Sequence, residues 1–296
     1  MIKHFLVLTK FHLSFAVSLS ALFAYVMAKG EFGIDMLTAT LGVLLVALGV
    51  SALNQVQEYK SDALMDRTKH RPIASGIWSP TTGVVIALTL VVASLVLIYD
   101  LLGLVGFNLF LFAFVWYNIV YTPLKKHSSL AVVPGAILGV IPPAIGWITA
   151  RLPEDGIATY QSLAEAEFYA LGLFYFIWQI PHFWLLVMLF YVDYKDGGYP
   201  TAMRLFGKIS LQRVTFIWLV MTIQTGIFMV SIFKTDNYII LGLLVVTGIF
   251  AFISSLVLLS KDFNPKDARK VFMRINLSFL ATVILVSIGE YIQFNF

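Results

Sequence analysis

The sequence predicts an all-α, polytopic membrane protein that crosses the bilayer nine times. Of its 296 residues, 59% are hydrophobic and only 12% are charged. A soluble domain carries about 25% charged residues, so this composition indicates a chain that folds in lipid. Nine apolar segments approach or exceed the roughly 20 residues that a spanning helix needs. No hydrophilic stretch is long enough to build a second core, and we expect one membrane domain over residues 1–296.

The apolar segments follow one another with short polar breaks. The first comes after a basic N-terminus; we interpret it as a retained helix because further spans follow, and a signal peptide is the alternative. Only Asp100 and Leu101 separate the third segment from the fourth. The fifth contains Pro134, Pro142 and Pro143, which predict a tilt or a kink. The nine segments are residues 11–28, 36–55, 82–99, 102–121, 130–150, 168–191, 214–233, 237–259 and 275–294.

The positions of lysine and arginine predict the orientation of these spans. With nine spans the loops alternate between two sides, and 17 of the 20 Lys and Arg residues fall on the side of the N-terminus. The other side holds only Lys29, Arg151 and Lys234. By the positive-inside rule the first side is cytoplasmic, and we expect an integral protein of a bacterial inner membrane.

Two features of the composition exclude classes of function. The sequence has no cysteine, which excludes disulfides, thiolate catalysis and cysteine-ligated metals. Its net charge of +4 is modest and lies in particular loops, so we expect no nucleic-acid partner.

Polar side chains at a regular spacing follow the second span. Asn54, Glu58, Asp62 and Asp66 recur every fourth residue. On a helix this spacing places neighbours about 40° apart on one face. Like charges at that spacing repel, so we expect a cation to neutralise them; Mg²⁺ prefers such oxygen ligands and shares its shell with phosphates. An ordinary solvated helix, with nearby lysines and arginines balancing the acids, is the alternative interpretation.

Further charged residues are expected at the same membrane face. Lys125 and Lys126 follow the fourth span, and Lys10 precedes the first. Asp193 and Asp196 lie at the end of the sixth span. Carboxylates can hold a metal that bridges phosphate oxygens, while lysine and arginine can stabilise a leaving diphosphate. These residues predict a metal–diphosphate site with an isoprenoid tail extending into the helix bundle.

Five sequence blocks, which together span most of the chain, resemble the UbiA superfamily of intramembrane prenyltransferases. The most specific block contains the Asn54, Glu58 and Asp62 spacing, followed by DRT at 66–68 and RP at 71–72. The other blocks are LTK at 8–10, YTPLKK at 121–126, GVIPPAIGW at 139–147, and IPHFW at 180–184 with DYKDGGYP at 193–200. The last block is most similar to the branch of the superfamily that farnesylates heme. The resemblance implies nine helices around a central cavity.

The resemblance also implies roles for individual residues. The implied Mg²⁺ ligands are Asn54, Glu58, Asp62 and Asp193, with Asp66 and Asp196 as further candidates. The implied substrate-binding residues are Lys125, Arg67 and Arg71 at the diphosphate, together with Tyr121, Lys126, His182 and Lys10.

The implied reaction begins with ionisation of the allylic C–O bond of farnesyl diphosphate. A vinyl group of heme B attacks the farnesyl group, and water completes a hydroxyethylfarnesyl substituent. The implied partners are these two substrates, the lipid bilayer, and a downstream heme A synthase or cytochrome oxidase assembly.

His182, within the sixth apolar segment, has two interpretations. A single histidine in an apolar helix can be a hydrogen-bonded packing residue. It can also be a heme contact or a proton-transfer group near the acceptor, as its place in the IPHFW block implies.

Two other functions are alternatives at this point. A related prenyltransferase that acts on a quinone precursor, or on another aromatic acceptor, would use the same metal–diphosphate site. A transporter would need ionisable groups near the bilayer midplane or paired broken helices. Few charged residues lie deep inside the predicted spans, and the charges gather at one membrane face, which favours an enzyme.

Overall fold

A computed structural model describes residues 1–295 of the chain; the last residue of the expected domain, Phe296, lies outside the described part. All regular elements within it are helical. They are α1 (Ile2–Leu8), α2 (Phe11–Lys29), α3 (Ile34–Asp62), α4 (Pro80–Val115), α5 (Val132–Ala136), α6 (Ile141–Ala150), α7 (Ala166–Leu189), α8 (Tyr191–Asp196), α9 (Ala202–Phe206), α10 (Lys208–Phe233), α11 (Tyr238–Ser255) and α12 (Pro265–Asn295). A π-helix (Trp116–Tyr121) and a short turn (Thr122–Leu124) extend α4, and 3₁₀ turns cover Ile137–Gly139, Gln161–Ala164 and Leu256–Leu259.

Eight continuous stretches of the described chain are long and apolar enough to cross a membrane. One of them, Pro80–Leu124, contains 45 residues. A straight helix of that length would extend about 68 Å, more than twice the roughly 30 Å of a bilayer's hydrocarbon core. This stretch covers the third and fourth predicted spans together.

The long stretch reverses direction at Gly103. Its φ of 56° and ψ of −142° interrupt the helix there. Before Gly103, the pairs of neighbours with α3 are Gly83 with Val56, Val91 with Gly49, and Ile98 with Gly42. After Gly103, they are Phe110 with Gly42, Asn118 with Val50, and Thr122 with Asn54. The first half therefore runs antiparallel to α3 and the second half parallel to it. Counted as two crossings, the stretch brings the described chain to nine.

The fifth span is broken, as its prolines predict. It consists of α5, a 3₁₀ turn and α6 rather than one helix. Residues 141–149 of α6 are all buried, which places this short helix in the interior of the bundle. Gly146 lies against the backbone carbonyl of Ala21 in α2, where there is no room for a side chain. A glycine is required at this point because two helix backbones meet there.

The loops gather at two ends of the bundle. We call one end the site face; it carries α1 and the loops 63–79, 125–131, 190–207 and 260–264. A hydrogen bond from the backbone N–H of Arg67 to Asp193 joins two of these loops. The opposite end, the far face, carries the turns 30–33 and 234–237, the loop 151–165 and the reversal at Gly103.

Candidate active site

The last three turns of α3 place three polar side chains on one buried face. Asn54, Glu58 and Asp62 are 0%, 4% and 1% exposed. Because all three lie within the helix, the predicted common face is confirmed for them. The expectation that Asp66 continues this face is wrong, since α3 ends at Asp62 and the chain then turns. Asp66 is exposed and accepts a hydrogen bond from Lys69, whose ammonium lowers the pKa of the Asp66 carboxyl.

Each of the three buried side chains is paired with a cationic side chain. The pairs are Lys10 Nζ with Asn54 Oδ1 at 2.9 Å, Lys125 Nζ with Glu58 Oε1 at 2.7 Å, and Arg71 Nη1 with Asp62 Oδ1 and Oδ2 at 2.9 and 2.8 Å. Burying a carboxylate without such a partner costs several kcal/mol. The cations that the acidic spacing predicts are therefore present as side chains from three other segments of the chain.

Lys10 occupies an uncommon backbone conformation. Its φ of 48° and ψ of 46° lie in the left-handed region, which residues other than glycine seldom adopt. This residue forms the corner between α1 and α2 and directs its ammonium at Asn54. Partial burial lowers the pKa of Lys10 to about 7, and the nearby charges of Arg71 and Lys125 act in the same direction. Backbone conformations of this uncommon kind occur often at functional sites.

The π-helix brings Lys125 to the site. π-helices are rare, and they occur often at functional sites. Asn118 within it donates hydrogen bonds to the Val50 carbonyl and to Gln57 Oε1, which ties this segment to α3. Thr122 in the next turn accepts a hydrogen bond from Asn54 Nδ2 at 3.2 Å. These bonds fix the position of the chain just before Lys125.

Tyr199, which is not among the predicted site residues, completes the surroundings of Glu58. Its hydroxyl donates a hydrogen bond of 3.0 Å to Glu58 Oε1, and its ring lies 5.9 Å from Lys125 Nζ. Burial, followed by the charge of Glu58, raises the pKa of Tyr199, so the hydroxyl stays a donor. The only signal for this residue in the sequence is its place at the end of the DYKDGGYP block.

Several predicted site residues lie at the edge of this cluster. Asp193, in α8, is partly exposed and accepts a hydrogen bond from the backbone of Arg67. The Arg67 guanidinium lies 4.7 Å above the Phe190 ring. Lys126 Nζ donates to the backbone carbonyl of Gln57, and Asp196 is exposed. The structure therefore places Asn54, Glu58, Asp62, Lys10, Lys125 and Arg71 at the centre, with Asp193, Arg67 and Lys126 at the edge. Asp196 makes no side-chain contact with this cluster among the described residues.

The donor set of the cluster fits a metal that is shared with a phosphate ligand. Within residues 1–295, no group of three His, Cys, Asp or Glu side chains lies close enough to hold a metal ion by itself. Mg²⁺ does not need such a cage, because it binds through one or two carboxylates, water and phosphate oxygens. Glu58, Asp62 and the Asn54 amide oxygen supply donors of this kind.

Aromatic side chains line the interior beside the cluster. The Tyr121 ring lies 5.5 Å from Lys125 Nζ and 6.5 Å from the Phe183 ring. His182, the neighbour of Phe183, has its ring 4.7 Å from that of Trp178 and accepts or donates a hydrogen bond of 2.8 Å with Asn276. His182 is therefore hydrogen-bonded, as a packing residue would be, and it also lies in the aromatic region that leads to the charged cluster.

Comparison with known protein families gives a match over most of the chain. A sequence model described as the UbiA prenyltransferase family matches residues 16–280.

Two similar curated proteins bear the name protoheme IX farnesyltransferase. One, from Oleidesulfovibrio alaskensis, is 34% identical over 193 residues, which are 65% of this chain and 65% of that protein. The other, from Geobacter sulfurreducens, is 34% identical over 226 residues, 74% of this chain and 77% of that protein. The match with the first thus spans slightly less than two thirds of its length.

Solved structures with the same fold are also found. A digeranylgeranylglyceryl phosphate synthase superposes with a TM-score of 0.75 at 15% identity and covers 98% of both chains. A UbiA homolog from Archaeoglobus fulgidus bound to DMAPP and Mg²⁺ gives a TM-score of 0.64 at 12% identity, covering 96% of this chain and 99% of that one. At these identities the likeness establishes the fold alone.

Proposed function

The chain belongs to the UbiA prenyltransferase family, and from that membership we propose that it transfers a farnesyl group from farnesyl diphosphate to a vinyl group of heme B. The products are heme O and diphosphate. One observation carries the choice of acceptor: the curated relatives at 34% identity are protoheme IX farnesyltransferases. The chain is an integral, multi-pass membrane enzyme, and its family domain is proposed to extend over residues 1–296.

The charged cluster binds the diphosphate in this proposal. Lys125 and Arg71 are held at the end of α3 by Glu58 and Asp62, so both cations are in place before substrate arrives. Lys10 adds a third cation, because the negative charge of a bound diphosphate would favour the protonated form of its side chain. Cations fixed in advance around a leaving group stabilise the charge that develops on it.

Mg²⁺ is the proposed cofactor, held by Asn54, Glu58 and Asp62, with Asp193 at the edge of the cluster. When bound, Mg²⁺ would neutralise charge on the diphosphate oxygens. The buried oxygens of α3 suit it because they are hard donors arranged on one helix face. Asp66 and Asp196 are exposed, so any role that they have in binding Mg²⁺ is at the outer edge of the site.

The proposed reaction begins with loss of the diphosphate. Breaking the allylic C–O bond leaves both bonding electrons on the diphosphate, where Lys125, Arg71 and Lys10 stabilise them. The terminal carbon of the heme vinyl group forms the new C–C bond to farnesyl C1. Water then adds to the other vinyl carbon and loses a proton, which gives the hydroxyethylfarnesyl substituent. In this proposal the farnesyl group meets the heme beside Tyr121 and Phe183, whose rings lie 6.5 Å apart next to the charged cluster.

The orientation in the membrane is also a proposal. The site face carries most of the lysines and arginines, which supports placing it in the cytoplasm. A soluble diphosphate product would then leave directly into the cytoplasm. The heme product is apolar and stays in the bilayer, where a heme A synthase or a cytochrome oxidase assembly would take it.

Incubation of the purified protein with farnesyl diphosphate, heme B and Mg²⁺ tests the proposed reaction. Mass spectrometry should detect hydroxyethylfarnesyl heme in an amount equal to the diphosphate released. Turnover of an aromatic acid in place of heme would instead establish the alternative acceptor. Diphosphate release without any prenylated product would contradict both acceptors.

A pair of variants tests the diphosphate end of the site. Asp62→Asn should lower the rate at least 100-fold, because it removes a buried negative charge and one of the two oxygens that accept from Arg71. Asp262→Asn is the matched control, since Asp262 is an exposed acid on the same face. Thermal unfolding of both variants separates loss of chemistry from loss of folding. Equal rates for the two would contradict the assignment of Asp62.

A further inference from the structure

His182 is held by a side chain from another helix. Its Nδ1 lies 2.8 Å from Oδ1 of Asn276, which projects from α12. Asn276 in turn donates a hydrogen bond of 2.6 Å from Nδ2 to the backbone carbonyl of Phe272, one turn earlier. The two hydrogen bonds form a chain that runs from the α12 backbone to the imidazole.

This chain determines which nitrogen of His182 carries the proton. The Phe272 carbonyl can only accept a hydrogen bond, so the NH₂ group of Asn276 must face it. The remaining oxygen of Asn276, which is also only an acceptor, then faces His182. Nδ1 must therefore carry the proton, and in the neutral ring Nε2 has a free lone pair. The hydrogen bonds among the described residues use only Nδ1 of this ring.

We propose that Asn276 is a positioning residue that holds His182 with Nε2 ready to ligate the iron of the heme acceptor. The inference rests on the proposed function, because the iron arrives with that substrate. Histidines that bind a metal characteristically donate their other N–H to a fixed acceptor, which sets the tautomer and the direction of the ring. Iron in heme is commonly held by one such histidine.

The surroundings of the ring favour ligation over proton transfer. The rings of Trp178, Phe183 and Phe272 lie 4.7, 5.6 and 4.8 Å from the imidazole. None of the ion pairs of residues 1–295 includes His182. A proton acceptor here would become a charged imidazolium among aromatic rings without a carboxylate, which is costly. A neutral imidazole that binds iron carries no such cost.

The position of the ring suits an acceptor that meets the farnesyl group. His182 lies seven residues, or roughly 10 Å, before the end of α7 at the site face. The ring of its neighbour Phe183 lies 6.5 Å from the Tyr121 ring, and Lys125 Nζ lies 5.5 Å from that same Tyr121 ring. Phe183 and Tyr121 therefore connect a heme held at His182 with the proposed diphosphate end.

Heme titration of the purified, full-length protein tests the inference without the transfer reaction. The absorption spectrum and the resonance Raman iron–histidine vibration of the ferrous complex report ligation directly. The wild type should show a histidine-ligated heme; His182→Ala should lose that signature, and added imidazole should restore it. Asn276→Leu should shift the iron–histidine vibration and weaken heme binding 10- to 100-fold. Asn276→Asp keeps an acceptor for Nδ1 and should retain ligation.

The matched control is Asn295→Leu in the same helix. Asn295 also donates a side-chain hydrogen bond to another element, the Gly30 carbonyl, but it does so at the far face. This control should leave the heme spectrum unchanged. A wild-type spectrum from His182→Ala, or wild-type affinity and vibration from Asn276→Leu, would overturn the inference.

Parallel measurement of heme farnesylation separates the two proposals. If the wild type farnesylates heme without histidine ligation, the inference fails and the proposed function stands. If the wild type ligates heme through His182 but makes no farnesylated product, the proposed function fails and the ligation stands.

Discussion

At the scale of single residues, the site is a set of buried charges that are paired before any ligand binds. Lys125 contacts Glu58, and Arg71 contacts Asp62 through both carboxylate oxygens. Buried ion pairs are weak evidence for stability, because apolar residues of similar volume can replace them without loss. Their presence at the end of α3 is better explained by the diphosphate that both cations are proposed to bind. Stability and activity should therefore respond differently when a pair is changed.

Lys125→Met tests this separation. It should destabilise the protein by on the order of 2–3 kcal/mol, because the hydroxyl of Tyr199 is then the one hydrogen-bond partner left to the buried Glu58 among residues 1–295. Adding Glu58→Gln should restore most of the lost stability and none of the activity. Thermal unfolding and farnesyl transfer, measured on the single and double variants, form a complete cycle. Recovery of activity in the double variant would show that the pair only supports the fold.

Tyr199→Phe tests the residue that links the 190–207 loop to Glu58. Loss of one hydrogen bond to a charged group costs about 1.5 kcal/mol, which corresponds to a roughly ten-fold lower kcat/KM. Because the pKa of Tyr199 is raised, the ratio of the wild-type kcat/KM to the variant kcat/KM should stay constant between about pH 6 and pH 9. Tyr194→Phe is the control, since its ring packs edge-on against Tyr199; it should change kcat/KM less than two-fold. A ratio that falls to one as the pH rises would contradict a protonated donor.

At the scale of elements, the positions of the helices along the chain can be predicted from the sequence, whereas the contacts between the helices cannot. Lipid requires long apolar helices, so apolar runs predict the spans, and the prolines of 130–150 predict the break between α5 and α6. The partners of the α3 acids come from distant parts of the chain: Lys125 is 67 residues from Glu58, and Tyr199 is 141 residues from it. No local pattern specifies such contacts. The contact between Asn276 and His182 could not be predicted from the sequence for the same reason, because 94 residues separate them.

Adding one methyl group at Gly103 tests the reversal of the chain there. The φ of 56° and ψ of −142° of Gly103 are accessible to glycine and strained for other residues, while an added Cβ would meet no atom within 4 Å. Gly103→Ala should thus destabilise the protein by about 1–3 kcal/mol through the backbone alone. Gly242→Ala is the control, because Gly242 lies in α11 with the same open space and without a positive φ. Equal melting temperatures for the two variants would contradict the reversal.

At the scale of the whole molecule, the two ends of the bundle differ in their number of basic residues and of buried ion pairs. The site face collects the ion pairs of α3 and most of the basic residues, whereas the far face carries Lys29, Arg151 and Lys234. An odd number of crossings places the N-terminus and the C-terminal end of α12 on opposite sides. Counting the stretch around Gly103 as two crossings makes the number for the described residues odd, so the backbone of this one residue bears on the side of the membrane assigned to every later loop.

Cysteine labelling tests this topology with little background, because the natural sequence contains no cysteine. Glu154→Cys marks the exposed loop of the far face, and Asp262→Cys marks an exposed loop of the site face. A membrane-impermeant maleimide added to intact cells should label position 154 and leave position 262 unlabelled until the membrane is permeabilised, as the positive-inside rule requires. The reverse pattern would place the proposed diphosphate site outside the cell, away from a cytoplasmic supply of substrate. Labelling of both positions in intact cells would mean that an even number of crossings separates residue 154 from residue 262, instead of the three made by α7, α10 and α11. The nine-crossing arrangement would then be wrong.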